Sequence, residues 1–497
     1  MLRAAINNGG NVVTPWHRDP RTPCPRRLRS LRPHPSASQT TMPGSLLDGL
    51  FGLYWSTYVS NLNPTMAARL ILPAFFLMLS LTAGAQPNGS LADSIRQILE
   101  EGIEAGAFPG AQVLAWHKGE PLVHVTAGHH TYANEREVRE GDVYDLASIT
   151  KTSSGLLYLM QLYDRNLLNL DAPIGQEFPV FAGTDKATLP LRSALSHRAG
   201  LLPWVPFWKG TLKGNARYPW QKKWDDNRTN DYRFRPRTIR RDSTRRFPIR
   251  LTEDLWLHRK FREQKIYRAI KKSPVKPEGE YKYSGLLFYL LPQKVEDGTQ
   301  LDYRTYLREN FYDPLGAKTL GYRPLDRGIP IKRIVPTEVD TFFRMDTLHG
   351  VVHDEGAAMM DGVSGNAGLF STAEDLAKLY QMLLNGGSYN GHRYFKPETI
   401  NEFTRRHYAA EGNRRGLGFD KPLIEYDADA SSVAMQASQK SFGHSGYTGT
   451  MVWADPEHDL LFVFLSNRVH PSRNRRAIYT LGIRPRVHAL LYETLGF

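Results

Sequence analysis

Strand patterns occur at both ends of the chain with helical patterns between them, and this arrangement constrains the fold most strongly. Strands that lie hundreds of residues apart can bury their apolar faces together only by sharing a sheet. The pattern therefore predicts an α+β fold, in which helices flank an antiparallel sheet built from both chain ends and a mostly helical lobe leaves a cleft beside it. The predicted strands cover 111–117, 121–127, 448–454 and 460–465, and the predicted terminal helices cover 91–105 and 484–495.

A serine hydroxyl and a lysine amine lie three residues apart, at Ser148 and Lys151. At that spacing on a helix the two side chains share one face. The apolar run 156–162 predicts a buried helix with Ser148 at its N-terminus, where the helix dipole favours a developing alkoxide. Lys151 would be partly desolvated there, and a desolvated lysine can act as a base. The pair is therefore a candidate nucleophile and base for acyl transfer.

The same spacing recurs at Ser273 and Lys276. That stretch is charged, contains Pro274 and has no apolar helix behind it, so we expect this second copy to lie on the surface. The first copy has support from two later segments. One places Tyr283 before the apolar run 286–291, at a predicted helix start, and the other runs from Gly443 to Tyr447 into a predicted strand.

Taken in this order, the three segments resemble the serine β-lactamase and penicillin-binding-protein superfamily. The branch they resemble contains class C β-lactamases, D-alanyl-D-alanine carboxypeptidases and related esterases. Residues 195–201 and 365–376 also resemble this branch, and the resemblance covers 92–497 apart from one insertion. It implies that Ser148 forms an acyl-enzyme while Lys151 and Tyr283 share the proton, and that the backbone amides of Ser148 and Tyr447 form an oxyanion hole. The substrate-binding residues it implies are His444, Ser445, Gly446 and Tyr447.

Two residues depart from the pattern of this branch. His444 stands where many relatives carry lysine, and an imidazole is mostly neutral at pH 7, so a fixed positive charge for a substrate carboxylate is weakened. Gly285 stands where the tyrosine motif ordinarily ends in asparagine, whose amide binds the acyl side chain and orients the lysine. These departures favour an ester or altered amide substrate over rapid β-lactam hydrolysis. Asn366 is a candidate to compensate for the missing amide.

The amino-terminal segment predicts export. Residues 66–85 combine Arg69, an apolar run and the small-x-small sequence Ala83-Gly84-Ala85, which together are typical of a signal peptide. The apolar run is shorter than the roughly 20 residues that span a bilayer, which disfavours the alternative of an uncleaved anchor. Residues 1–65 are interpreted as a disordered or spurious leader with translation starting near Met66, and 86–497 as the hydrolase domain. The predicted location is secreted or periplasmic.

The positive charge is local to the leader and to a basic insertion at about 205–275. Residues 209–272 hold 21 Lys and Arg against 7 Asp and Glu, whereas the rest of the mature chain is mildly acidic. Aromatic residues scattered among these bases could meet an anionic polymer, but charge runs are more often solvated faces. A solvated, partly ordered loop beside the cleft is therefore the favoured interpretation. The stretch has no recognisable nucleic-acid motif, so no nucleic-acid partner is expected.

Metal and cofactor chemistry is not expected. The single cysteine, Cys24, lies far from every motif, so a disulfide framework or a thiol nucleophile cannot be built. The pair His129-His130 and the run His353-Asp354-Glu355 contain metal-ligand residue types, but neither has the two-histidine helical spacing of a zinc peptidase. The sequence therefore predicts a metal-independent and cofactor-independent protein, expected to act as a monomer.

These patterns predict a secreted serine hydrolase, of carboxypeptidase or esterase type, acting on small esters, amides or cell-wall peptides. Peptidoglycan fragments are the candidate substrates from the cell wall. The alternative is a catalytically weak protein on the same fold that binds cell-wall or other anionic polymers through the basic insertion. No stable membrane span is expected after signal cleavage.

Overall fold

The computed structural model describes residues 90–213, 218–221 and 234–497. Residues 87–497 form one compact unit. The predicted leader, 1–65, and the predicted signal peptide, 66–85, lie outside the described residues. Within the described ranges, no helix is both long enough and apolar enough to cross a membrane.

The described residues contain short helices and strands in alternation. The α-helices are α1 Leu91–Glu104, α2 Thr150–Ser153, α3 Gly155–Asp164, α4 Ile174–Glu177, α5 Leu191–Leu195, α6 Arg268–Lys272, α7 Leu291–Thr299, α8 Tyr303–Leu307, α9 Glu355–Ala358, α10 Ala373–Leu384, α11 Pro397–Thr404, α12 Ala477–Thr480 and α13 Ile483–Leu495. The strands are β1 Gly110–His117, β2 Glu120–Gly128, β3 Tyr144–Asp145, β4 Ile239–Arg240, β5 Ile249–Arg250, β6 Trp256–Leu257, β7 Gly321–Tyr322, β8 Val339–Asp340, β9 Asp346–Thr347, β10 Leu369–Ser371, β11 Ser388–Tyr389, β12 His392–Arg393, β13 Phe442–Ser445, β14 Met451–Asp455 and β15 Leu460–Ser466. Two of the 3-10 turns, Ala147–Ile149 and Phe288–Leu290, belong to the segments that carry Ser148 and follow Tyr283.

One antiparallel sheet joins the two ends of the chain, in the order β13-β14-β15-β1-β2. β1 pairs with β15 from Ala111 opposite Ser466 to His117 opposite Leu460. The predicted α+β architecture, with both chain ends in one sheet, is confirmed.

The central strand β15 buries both of its faces, because successive side chains point to opposite sides of a sheet. Leu461, Val463 and Leu465 belong to the large core cluster shared with α10 and the helical lobe. Phe462 and Phe464 belong to a second cluster that α1 and α13 cover. The sheet is therefore sandwiched between the terminal helices and the helical lobe that carries the candidate catalytic residues.

The predicted strand 448–454 begins later than expected. The segment from Gly443 to Tyr447 does not lead into it as one strand, since Phe442–Ser445 forms the separate edge strand β13. A turn then reverses the chain, and β14 starts at Met451, with His444 paired opposite Val452. The alternating pattern was right for β14, but Gly446 and Gly449 belong to the reversal, where Gly449 has a φ of +109°.

The single helix expected after Ser148 is divided into three pieces: the 3-10 turn Ala147–Ile149, α2 and α3. The break lies at Ser154, whose φ and ψ are −138° and −112°. A Cβ built on the next residue, Gly155, would overlap Leu291 of α7, so the glycine allows α3 and α7 to approach closely. The Tyr312 hydroxyl donates to the Ser153 carbonyl oxygen at 2.7 Å, which satisfies an acceptor beside the break.

The basic insertion is more ordered than a solvated loop in the part that the structure describes. Strands β4, β6 and β5 form a small sheet there, and apolar side chains from this sheet and from the helical segment after it join the main core. These buried residues are Ile239, Leu257, Phe261, Ile266 and Ile270. The expectation of a solvated loop is wrong for this part, because apolar residues alternate with the arginines and face inward.

The second serine–lysine copy is not a surface pair. Ser273 is buried, and its hydroxyl donates to the Ile270 carbonyl oxygen at 2.8 Å, at the end of α6. Lys276 is exposed, and the backbone has already left the helix at Ser273. The two side chains therefore do not share a helix face, which removes the geometry that the spacing needs.

Truncating a buried residue of β15 tests this core assignment. Leu461 is fully buried, so Leu461→Ala removes methyl groups from the core and should lower the free energy of unfolding by about 2–5 kcal/mol. The matched control is Leu167→Ala, since Leu167 is 67% exposed and the same truncation there should cost no more than about 0.5 kcal/mol. Urea unfolding compares the two variants, and equal losses of stability would contradict the packing.

Candidate active site

Ser148 and Lys151 lie side by side at the start of the helical lobe. The Lys151 Nζ is 2.9 Å from the Ser148 Oγ, and it also donates to the backbone carbonyl oxygen of Asn366 at 2.9 Å. The Lys151 side chain is buried, whereas Ser148 is partly exposed. The amine therefore contacts the serine hydroxyl on one side and a backbone carbonyl oxygen on the other.

The turn that carries Ser148 is held in an uncommon conformation. Ala147 has a φ of +45°, in the left-handed region, where a residue with a Cβ is strained by about 1–2 kcal/mol. The Ala147 N–H donates to one oxygen of Asp145 at 2.8 Å, and the His353 N–H donates to the other oxygen at 2.6 Å. Burial raises the pKa of this carboxyl group. Asp145 thus ties the turn that carries Ser148 to the segment before α9.

The turn between β13 and β14 presses against the Ser148 turn. The Thr448 hydroxyl donates to the Asp145 carbonyl oxygen at 2.8 Å, and the Thr450 hydroxyl donates to the Leu146 carbonyl oxygen at 3.2 Å. A Cβ built on Gly446 would overlap both the Thr450 hydroxyl and the Leu146 carbonyl oxygen, so this close approach requires glycine. The structure thereby brings the Gly443–Tyr447 segment to the turn that carries Ser148.

Tyr447 follows this contact and is half-exposed, at 49%. The Arg468 guanidinium lies 4.5 Å from the centroid of its ring, and the Arg468 Nε donates to the Tyr447 carbonyl oxygen at 2.9 Å. On the other side, the ring of His353 lies 5.7 Å away, between centroids. Tyr447 is therefore fixed through its ring and its carbonyl group while part of the side chain faces solvent.

Tyr283 lies in an irregular segment and not at a helix start, since the following 3-10 turn begins at Phe288. His197 holds this segment on both sides of the tyrosine: its carbonyl oxygen accepts from the Lys282 N–H at 2.7 Å, and its Nδ1 accepts from the Ser284 N–H at 3.2 Å. The His197 and Tyr283 rings are 4.6 Å apart between centroids. The motif 195–201 therefore positions the phenol without a helix.

The phenol of Tyr283 faces the lysine. The Lys151 Nζ lies 5.2 Å from the centroid of the Tyr283 ring. The hydroxyl oxygen of Tyr283 is buried and has no hydrogen-bond partner among the described residues. A buried hydroxyl without a partner is costly in a folded protein, and such groups are enriched where a substrate or a water molecule completes the site.

His444 is buried on β13, close to Tyr283, with 6.1 Å between their ring centroids. Its Nδ1 lies 2.8 Å from the Ser445 carbonyl oxygen and its Nε2 lies 3.3 Å from the Arg415 Nη2. Burial, together with the charges of Arg415 and Lys151, lowers the pKa of His444 to about 3. His444 is therefore neutral at pH 7, and Ser445 lies beside it on the strand, half-buried.

Arg415 is a charged residue that contacts His444. No motif in the sequence pointed to it. It is buried, its Nη2 lies 3.2 Å from the His197 Nε2, and its guanidinium carbon lies 5.4 Å from the centroid of the Tyr283 ring. Its Nη1 pairs with Asp420 at 2.9 Å, and Arg414 pairs with the same carboxylate at 2.8 Å. The two guanidinium groups hold the pKa of Asp420 far below its usual range.

Gly285 leaves an open position beside the lysine. A Cβ built there would lie 3.8 Å from the Asn366 Cβ and 3.9 Å from the Lys151 Cε, which are ordinary contact distances. Asn366, the candidate to compensate for the missing amide, lies next to this gap but contacts the lysine through its backbone carbonyl group. Its side-chain oxygen accepts from Ser364 at 2.6 Å, and its amide nitrogen donates to Asp354 at 3.3 Å.

The candidate metal-ligand residues of the sequence have other partners. His353 Nε2 lies 3.0 Å from Glu338, Asp354 accepts the Ala357 N–H at 2.7 Å to cap α9, and Glu355 pairs with Arg473 at 2.7 Å. Within the described ranges, no group of three or more His, Cys, Asp or Glu side chains has the geometry to hold a metal ion.

Comparisons with known proteins agree with this fold. The family model described as Beta-lactamase matches residues 95–483. A crystal structure of a penicillin-binding protein homolog from Caulobacter crescentus has a TM-score of 0.55 at 19% identity, covering 83% of this chain and 99% of the other. The D-amino acid amidase from Ochrobactrum anthropi SV3 has a TM-score of 0.54 at 16% identity, with coverages of 82% and 99%.

A relative from Salmonella schwarzengrund (strain CVM19633) is named "Putative D-alanyl-D-alanine carboxypeptidase". It is 35% identical over 234 residues, which is 44% of this chain and 53% of the relative. The chain thus spans about half the length of the curated relatives that it matches. The family model, in contrast, matches most of the chain, and it supports the expectation of a serine hydrolase. The chain belongs to the Beta-lactamase family.

Proposed function

We propose that the protein is a serine hydrolase that forms an acyl-enzyme at Ser148. The contact that carries this proposal is the 2.9 Å approach of the Lys151 Nζ to the Ser148 Oγ. A serine hydroxyl is a weak nucleophile unless a base accepts its proton, and a buried amine fixed at hydrogen-bond distance meets that need. The carbonyl oxygen of Asn366 fixes the amine from the other side.

In the first half of the reaction, the Ser148 oxygen attacks the carbonyl carbon of an ester or amide. The proton of the hydroxyl passes to the Lys151 and Tyr283 pair. The bond to the leaving group then breaks, and the same pair returns the proton to the departing alkoxide or amine. The backbone amides of Ser148 and Tyr447 would stabilise the negative oxygen of the intermediate. The packing of Gly446 against Leu146 supports this role, since it brings both segments together.

In the second half, water attacks the acyl-enzyme and releases the acid product together with free Ser148. The unpartnered hydroxyl of Tyr283 supports a role in activating this water, because it has an open donor and an open acceptor function in a buried position. Lys151 lies against the same ring.

The substrate class follows from the charges at the site. His444 is neutral, and the guanidinium of Arg415 is only 2% exposed, so neither offers a free cation to a substrate carboxylate. Esters and amides without a free carboxylate next to the scissile bond are therefore favoured. The name of the Salmonella relatives supports cell-wall peptides as a substrate class, but the terminal D-alanyl-D-alanine bond in that name lies next to a free carboxylate, which these charges disfavour. Export directed by residues 66–85 would place the protein with these substrates.

Covalent labelling tests the proposal. Wild-type protein should react with a fluorophosphonate at Ser148, and Ser148→Ala should lower the labelling rate by at least about 10³-fold, because the attacking oxygen is lost. Ser273→Ala is the matched control, since Ser273 has the same spacing to a lysine but is held on the Ile270 carbonyl oxygen. Intact-protein mass spectrometry measures the adduct.

A folded wild-type protein without any adduct would contradict the proposal. Salt-sensitive retention of that unlabelled protein on cell-wall polymer would instead support the alternative, a binding protein on the same fold. Labelling that persists in the Ser148→Ala variant would also contradict the proposal that Ser148 is the nucleophile.

The empty position at Gly285 gives a second test. Gly285→Asn should be accommodated, since its Cβ would meet only ordinary contacts, and it should add an amide beside Lys151 and the cleft. One added hydrogen bond to the acyl side chain should raise nitrocefin turnover by about fivefold to tenfold. Gly285→Ala is the control, because it adds the Cβ without the amide. Equal rate constants for nitrocefin hydrolysis in the Gly285→Asn and Gly285→Ala variants would show that the missing amide does not limit nitrocefin turnover.

A further inference from the structure

A cluster beside His444 and Tyr283, in which Arg415 is almost completely buried, carries more positive than negative charge. Arg414, Arg415 and Asp420 form one ion-pair group, in which the carboxylate contacts both guanidinium groups. Two positive charges against one negative charge leave a net charge of +1. Arg415 is the member that contacts both imidazoles and lies against the Tyr283 ring.

The hydrogen-bond partners of His444 determine which of its ring nitrogens carries the proton. The Nδ1 of His444 faces the Ser445 carbonyl oxygen, which can only accept, so this nitrogen carries the proton. The Nε2 therefore has a lone pair, and it faces the Arg415 Nη2, which can only donate. Arg415 thus selects one tautomer of His444 and opposes a second proton on the ring.

The same guanidinium lies against the ring whose phenol has no partner. Two cations are close to this ring, with the Lys151 Nζ 5.2 Å and the Arg415 carbon 5.4 Å from its centroid. Lys151 must change its charge if it exchanges a proton with Ser148, whereas arginine keeps its charge throughout. A permanent cation beside this ring attracts negative charge that develops on the phenol oxygen during proton transfer.

We propose that Arg415 is a positioning residue that fixes the tautomer of His444 and supplies the permanent positive charge favouring the phenolate of Tyr283. The inference rests on the proposed function and deepens it. Arg415 is almost completely buried, so it acts through Tyr283 and His444 and not on the substrate itself. Asp420, in turn, holds Arg415 in place.

The phenol of Tyr283 has several charged or titratable neighbours, and the test must separate Arg415 from them. Those on the described elements packed around it are Lys151, His197, Tyr281, Arg415, Asp420 and His444. Burial lowers the pKa of His197 well below its usual range, so both imidazoles stay neutral near pH 7. Arg415 is accordingly the fixed cation whose removal should be seen in a pH profile.

The experiment measures the rate of fluorophosphonate labelling of Ser148 against pH, with a melting curve for each variant. Arg415→Gln keeps a donor but removes the charge, so the ascending limb of the profile should move up by about 1 pH unit or more. Arg415→Lys keeps the charge and should bring the limb back toward its wild-type position. The matched control is Arg344→Gln, because Arg344 is equally buried and ion-paired, to Asp340 at 2.9 Å.

The outcomes separate this inference from the proposed function. Arg344→Gln should lower the melting temperature without moving the limb, which identifies the shift as electrostatic. An unmoved limb in a folded Arg415→Gln variant would overturn the inference while wild-type labelling still supports the hydrolase. If the Arg415→Gln variant does not fold, the Arg415→Lys variant tests the inference about Arg415. An upward shift of its ascending limb by about 1 pH unit, despite the retained charge, would overturn that inference. Absence of wild-type labelling would instead remove the proposed function.

Discussion

The hydrogen bond from Lys151 to the Asn366 carbonyl oxygen joins two segments that lie 215 residues apart. Burying an amine costs free energy unless its N–H groups find acceptors, and this carbonyl oxygen is an acceptor that no side-chain substitution removes. The strand after Asn366 adds further links, since the Leu146 N–H donates to the Leu369 carbonyl oxygen at 2.9 Å. The Leu369 N–H donates to the Thr150 hydroxyl at 3.1 Å. Lys151 is therefore positioned by backbone pairing as much as by its own helix.

The sequence was sufficient for the parts of the site that are local in the chain. The contact of Ser148 with Lys151 follows from their being three positions apart, and the strand patterns at both ends required one sheet. It was insufficient where a conformation depends on distant neighbours. The break at Ser154 depends on the contact of Gly155 with α7, and the irregular segment of Tyr283 depends on both polar groups of His197. Neither neighbour lies within one turn of the residue it positions.

Arg415 shows the same limit for electrostatics. Arg415 is one of many arginines in a basic chain. Only the fold reveals that its side chain is buried against the imidazoles of His197 and His444. The expectation that His444 weakens a fixed positive charge was right in direction. The structure adds the cause, because burial and the adjacent guanidinium together keep the imidazole neutral. The guanidinium of Arg415 thus lies buried beside His444 and the Tyr283 ring, and in the proposed reaction it would bias proton transfer without binding a substrate carboxylate.

The central claim is that the hydroxyl of Ser148, the amine of Lys151 and the phenol of Tyr283 meet in one reacting centre. A crystal structure of the protein after reaction with a fluorophosphonate tests it most directly. The account predicts phosphorus bonded to the Ser148 oxygen, with the Lys151 Nζ and the Tyr283 hydroxyl both within hydrogen-bond distance, about 2.6–3.2 Å, of that oxygen or of a bound water. A phosphorus adduct at another residue, or a Tyr283 hydroxyl turned away from the adduct, would contradict it.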